Sequence, residues 1–186
     1  VYCWGQSAVI GSNAFPPQLV TSLQAGWVEA LGMAEGLWCY VGAGRLSCYG
    51  ACNDGSCGSG PGQLLAFGSG DDTVHDFAVS GSTVCAVVGS ARELYCWGGN
   101  EAGERGDNDP GARAEPLLLH LPTGPLRDVE TVFLGPRHGC ALVNQSLVCW
   151  GDNTQGQVSE MAAAVAFTPP TRGSVSRPVR SVGMGR

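Results

Sequence analysis

The run Cys140-Ala141-Leu142-Val143-Asn144-Gln145-Ser146-Leu147-Val148-Cys149-Trp150-Gly151 has the pattern of a β-hairpin. Two short apolar arms flank a polar triplet that suits a tight turn, and each arm carries a cysteine. The same pattern stands upstream. Thr83-Val84-Cys85-Ala86-Val87-Val88 and Leu94-Tyr95-Cys96-Trp97 are joined by the turn-forming Gly89-Ser90-Ala91-Arg92-Glu93. Working outward, the Cys-aromatic-Gly tripeptide occurs as Cys3-Trp4-Gly5, Cys48-Tyr49-Gly50, Cys96-Trp97-Gly98 and Cys149-Trp150-Gly151, at steps of 45, 48 and 53 residues.

A second element keeps the same period. Val28, Leu31 and Met33 match Val74, Phe77 and Val79, then Val129, Val132 and Leu134, then Val179, Val182 and Met184. From the first valine to the next cysteine is eleven residues in three copies, ending at Cys39, Cys85 and Cys140. A looser third element places Pro17, Pro61, Pro116 and Pro170 or Pro178 before apolar stretches. Landmarks in one order, repeated four times, identify an array with repeats at about 1–47, 48–95, 96–148 and an incomplete 149–186. About four short strands per repeat fit one propeller blade each, in a single domain over 1–186. Helical periodicity is weak; its best stretch, 157–167, falls in the loop part of its repeat.

Cys149-Trp150-Gly151-Asp152-Asn153-Thr154-Gln155-Gly156-Gln157 resembles the Trp-Gly-x-Asn-x-x-Gly-Gln signature of the regulator-of-chromosome-condensation repeat family. Cys96-Trp97-Gly98-Gly99-Asn100-Glu101-Ala102-Gly103 is a second copy, and Cys140-Ala141-Leu142 matches the strand that precedes the signature. The first two copies are degenerate. The resemblance implies an all-β propeller, and about four repeats amount to part of a larger ring of about seven blades. Read physically, the glycine after the aromatic permits a sharp strand exit. Asn53, Asn100 and Asn153 can bond local backbone in the turn that follows.

Nine cysteines is an odd count for a closed disulfide set. Cys39 and Cys48, Cys85 and Cys96, and Cys140 and Cys149 flank hairpins, where facing positions lie within disulfide range. The expectation is one disulfide staple per hairpin. Cys52 and Cys57 flank a turn and are expected to pair as well. Cys3 remains unpaired, its partner expected upstream of Val1, and the chain reads as a fragment or a processed product. The rival readings are a zinc site of Cys39, Cys48, Cys52 and Cys57, whose spacings are not those of paired CxxC, and free thiols. Disulfides in every repeat imply an oxidising compartment, hence a secreted or cell-surface protein. Asn144-Gln145-Ser146 is a glycosylation sequon on the expected turn, or else an unmodified polar turn.

Little points to catalysis. His75, His120 and His138 have no His or Cys partner at ligand spacing. The glycine runs at 42–44 and 58–62 lack the Lys-Ser or Lys-Thr of a phosphate loop. Asp71-Asp72 and Asp107-Asn108-Asp109 lack the spaced ligands of a calcium loop and read as solvated turns. Trp27 and Trp38 read as blade packing rather than a carbohydrate platform. No cofactor is expected.

Ten basic residues against sixteen acidic ones give a net charge of −6. Only Arg172, Arg177, Arg180 and Arg186 gather locally, so nucleic acid is not an expected partner. No apolar run is long enough for a membrane span. The expected function is a non-enzymatic extracellular propeller domain for protein–protein interaction or structural assembly. Its partners would meet the blade-edge loops at 5–21, 100–116 and 152–179, or be further blades of the same parent chain. The alternatives are a guanine-nucleotide exchange factor-like regulator, which the resemblance implies, and a secreted enzyme-inhibitor propeller.

Overall fold

The computed structural model describes residues 2–5, 14–19, 27–34, 36–50, 55–57, 62–158 and 168–172. Every regular element among them is a strand. In chain order these are β1 Tyr2–Gly5, β2 Ala14–Leu19, β3 Ala30–Ala34, β4 Leu37–Gly42, β5 Arg45–Gly50, β6 Val74–Ser80, β7 Thr83–Val88 and β8 Glu93–Gly98. β9 Arg113–Leu118, β10 His120–Leu121, β11 Gly124–Pro125, β12 Val129–Leu134, β13 His138–Val143, β14 Ser146–Gly151 and β15 Thr168–Arg172 follow. Most of the 157–167 stretch lies outside the described residues.

The strands form antiparallel meanders: β1-β2, β3-β4-β5, β6-β7-β8-β9 and β12-β13-β14-β15, with a small β10-β11 hairpin between the last two. Leu64 bridges to Ser47 at the outer edge of the β3-β4-β5 sheet, where the four-stranded sheets have β9 and β15. The innermost strands β3, β6 and β12 neighbour one another, so the sheets fan out as propeller blades. The looser proline element marks the outermost strands: Pro17 lies in β2, Pro116 in β9 and Pro170 in β15. Proline removes a ladder donor, which an edge strand tolerates.

Sheets and sequence repeats are out of phase. Each blade opens on the valine element (Val74 in β6, Val129 in β12), while the Cys-aromatic-Gly element ends the third strand, in β5, β8 and β14. Repeat boundaries at 48, 96 and 149 therefore fall inside sheets.

The core lies between blades, and alternation along the strands decides which face each residue serves. Cys39 and Cys48 share one buried cluster with Val84, Ala86, Val88 and Trp97 of the following blade. Cys85 and Cys96 share the next with Ala141, Val143, Val148 and Trp150. The β3-β4-β5 and β6-β7-β8-β9 sheets thus turn their cystines toward the next sheet, and Trp97 and Trp150 face the previous one.

All three hairpin disulfides are formed: Cys39–Cys48, Cys85–Cys96 and Cys140–Cys149, each with Cα atoms 4.1 Å apart. This matches the closer, non-hydrogen-bonded class of facing pairs. The sequence separations of 9, 11 and 9 reflect the turns alone. Residues 43–44 and 144–145 are two-residue turns, 89–92 a four-residue link, and every cystine sits on the fourth pair from its turn. A thiolate zinc site built on Cys39 and Cys48 is excluded by their bond to each other. Cys57 is disulfide-bonded, and Cys52 lies outside the described residues. Cys3 sits on β1 opposite Gln18.

Replacing Cys85 and Cys96 together by alanine is expected to lower unfolding free energy by about 2.5–3 kcal/mol through loop-closure entropy. Urea unfolding of variant and parent under non-reducing conditions measures it.

Candidate interaction surface

The two ends of the blades differ. One end carries the tight turns at 43–44, 89–92 and 144–145. Here Glu29 accepts from Gly44 N–H at 3.3 Å, Asp71 from Ser90 N–H at 2.9 Å and Glu130 from Gln145 N–H at 3.1 Å. A carboxylate at the start of each blade thus caps the turn of its own hairpin. The Asp71 carboxyl is held below its ordinary range by hydrogen bonds from Thr73 first and Ser90 after it, with burial opposing them.

The other end carries the long loops, and there the signature residues do identifiable work. The glycine after the aromatic has positive φ in all three blades: 133° at Gly50, 93° at Gly98 and 101° at Gly151. A Cβ on Gly50 or Gly98 would lie 2.0 Å from the carbonyl oxygen of Gly36 or Ser82. No side chain fits. The asparagine then spans the loop. Asn100 Oδ1 accepts from Arg105 N–H at 2.7 Å, and Asn153 Oδ1 accepts from Val158 N–H at 2.8 Å, five residues on in each case. Asn53 lies outside the described residues.

These loops also lock neighbouring blades together. Trp97 Nε1 donates to Ser56 O at 2.9 Å and Trp150 Nε1 to Glu104 O at 2.6 Å. Ser56 and Glu104 each stand seven residues after the aromatic of the preceding blade, Tyr49 and Trp97. Tyr49 stacks on Trp38 with centroids 4.6 Å apart, so Trp38 packs as expected. Trp27 does not: it precedes β3, meets no facing sheet among the described residues and is 86% exposed.

The 99–112 loop contains an arginine that composition and spacing gave no reason to single out. Arg105 is fully buried where the next blade has Val158. Its guanidinium donates to Gly98 O at 2.9 Å, Gly111 O at 2.7 Å, Asp109 O at 2.9 Å and Asp107 Oδ2 at 2.9 Å. Asp107 also accepts from Asn100 at 2.8 Å. The Asp107-Asn108-Asp109 turn is therefore an arginine clasp, with its nearly buried Asp107 carboxylate neutralised by Arg105.

Beside it a cavity of about 370 Å³ is lined by Pro136, Arg137, His138, Asp152, Thr154, Gln155 and Gln157. Arg137 Nε holds buried Asp152 Oδ2 at 2.6 Å, and Thr154 N–H donates to Asp152 Oδ1 at 2.8 Å. Burial acts to raise the Asp152 carboxyl, but these bonds outweigh it and hold it below the ordinary range. The one carboxylate of the lining is thus engaged by Arg137 and Thr154, and Gln155 N–H donates to Gln157 Oε1 at 2.8 Å.

Burial pushes the His138 imidazole below its ordinary 6.5, with Asp152 pulling the other way. The unfolded chain therefore takes up this proton first. The contribution of His138 is whole above about pH 6.5 and is lost as pH falls from there through the folded-state value. His138→Asn is expected to flatten the urea-midpoint profile between about pH 7 and pH 5. The depressed Asp71 and Asp152 carboxyls act lower: their stabilisation is present above about pH 3.9 and is lost as pH falls through their folded values.

Of the other residues singled out in sequence, His75 Nε2 lies 3.1 Å from Gly89 O and His120 Nδ1 3.0 Å from Leu118 O, both backbone contacts. Asn144 lies at the tight-turn end, exposed. Among the described residues no three His, Cys, Asp or Glu side chains gather as a metal site.

No family model matches the chain, and no curated protein does. Solved structures do. Human WBSCR16 superposes with a TM-score of 0.74 at 20% identity, over 97% of this chain and 50% of that one. Prp20p from Saccharomyces cerevisiae, described with its binding to Gsp1p and histones, matches with a TM-score of 0.56 at 15% identity, over 97% of this chain and 60% of that one. Yeast RCC1 (Prp20) bound to Kap60 matches with a TM-score of 0.52 at 16% identity, over 97% and 59%. The chain thus spans half to three-fifths of the length of these structures. With interlocked blades and the signature loops in place, the chain has the fold of the regulator-of-chromosome-condensation type of β-propeller.

Proposed function

We propose that this chain is part of a non-enzymatic extracellular propeller that binds protein partners, or builds a surface or matrix assembly, through its long-loop end. The observation that carries the reading is the set of three buried hairpin cystines, which belong to an oxidising compartment. The loops support it: they are braced by Arg105, Asn100 and Asn153 and so present a surface that loses little freedom on binding. That Prp20p binds Gsp1p and histones, and yeast RCC1 Kap60, gives this fold protein partners of its own. Nucleic acid is not among the proposed partners, given a net charge of −6. No helix among the described residues is long and apolar enough to cross a membrane. The ring is proposed to be completed by further blades of the same parent chain.

The test is a binding screen of the secreted, oxidised protein against displayed extracellular domains. Partners are expected to be lost on Arg137→Glu at the cavity and retained on Glu29→Gln at the opposite end. A chain whose cystines are reduced in native material, and which accelerates nucleotide release from a small GTPase, would replace this reading with the exchange-factor one.

A further inference from the structure

We propose that Asn144 carries an N-linked glycan, an assignment that rests on the extracellular reading above. Asn144-Gln145-Ser146 is the one Asn-x-Ser/Thr triplet in the 186 residues, so any such glycan on this chain has a single address. The fold places it well. Val143 and Ser146 form the last pair of the β13-β14 hairpin, leaving Asn144 and Gln145 as the whole turn. Both are exposed, at φ 49° and 62°, in the left-handed region that a two-residue hairpin turn requires. The Gln145 N–H is already held by Glu130 at 3.1 Å, whereas the Asn144 side-chain amide makes no hydrogen bond to a described residue. It stands in solvent with nothing to give up on modification.

The chemistry needs one co-reactant, a lipid-diphosphate-linked oligosaccharide of the secretory membrane, the compartment in which the three cystines would also form. Asn144 Nδ2 forms a bond to C1 of the first sugar. The C1–O bond to the diphosphate breaks, and the lipid diphosphate leaves with that electron pair. Nδ2 gives up one proton, and nothing is oxidised or reduced.

Position gives the glycan a consequence. His138 pairs with Gly151 at the cavity end of the hairpin and Val143 with Ser146 at the turn end. Five residue steps separate them, about 17 Å along the strand. A glycan on Asn144 covers the tight-turn end and leaves the long-loop end clear.

The chain is expressed behind a secretory signal in eukaryotic cells, and its intact mass is taken before and after peptide-N-glycosidase, with a non-reducing peptide map. The expected result is one glycan per chain, removed by the enzyme with conversion of Asn144 to aspartate. It is lost in Asn144→Gln and Ser146→Ala and kept in Ser146→Thr, all with the three cystines intact. A secreted, fully bridged parent with bare Asn144 overturns the glycan and leaves the proposed function standing. Reduced Cys39, Cys48, Cys85, Cys96, Cys140 and Cys149 in the secreted parent overturn both.

Discussion

Trp150→Ala is expected to remove about 3–5 kcal/mol of unfolding free energy. Trp150 is fully buried in the cluster that joins the third and fourth blades, together with Cys85, Cys96, Leu94 and Val129. Truncation leaves a ring-sized cavity and strips Glu104 O of its indole donor, held at 2.6 Å. Trp150→Phe separates the two effects. It keeps much of the volume and leaves the carbonyl unpaired, at about 1–3 kcal/mol. The site also leaves no slack. A Cβ on Gly139, its cross-strand partner, would sit 2.5 Å from the indole. Urea unfolding gives the magnitudes. Amide exchange gives the mechanism, since protection should fall in β7 and β8 as well as in β13 and β14. A Trp150→Ala chain within about 1 kcal/mol of the parent would contradict the interlocking of blades described above.

Arg105→Ala follows, at about 3–5 kcal/mol. The guanidinium satisfies Gly98 O, Gly111 O, Asp109 O and the Asp107 carboxylate at once, and its removal takes the opposite charge from the nearly buried Asp107 and these bonds from the three carbonyls, of which Asp109 O keeps Asn100 as a donor. The attraction of the ion pair is not the whole effect, because taking two charges from water offsets much of it. A double change, Arg105→Val with Asp107→Asn, removes both charges and copies the valine at 158. It should recover part of the loss, and a double variant worse than Arg105→Ala would show that the clasp is held by something other than charge compensation.

Much of the fold was legible because its constraints are local. Each cystine must sit at a facing, closely spaced pair a fixed number of steps from its turn, and that shows directly as a spacing. Gly50, Gly98 and Gly151 were readable for a similar reason: the strand exit requires positive φ and a close carbonyl. The outermost strands were harder. β9 and β15 contain Pro116, Pro169 and Pro170, which weaken a strand pattern, and they showed only as a loose proline landmark. The loop end was least legible. Arg105 looks like any surface arginine until the loop path brings four acceptors around it. Glu29 and Glu130 each follow the first valine of their repeat, but the copy between them has His75 there and caps its turn with Asp71 instead, so the shared role is not carried by one residue type. Arg137 and Asp152 meet across a sheet end, fifteen residues apart, with no spacing rule to announce them.

The alternation of cystine and aromatic faces has a consequence for chemical durability. A small thiol must reach a disulfide sulfur to exchange with it, and the face of the sheet that carries Cys85–Cys96 is covered by the next blade. Cys85 and Cys96, roofed by the cluster of Trp150, are 0% exposed. Reductant should therefore reach Cys85–Cys96 only after the β12-β13-β14-β15 sheet has moved off it, so that the opening of this crosslink reports the parting of two blades rather than the strength of the bond.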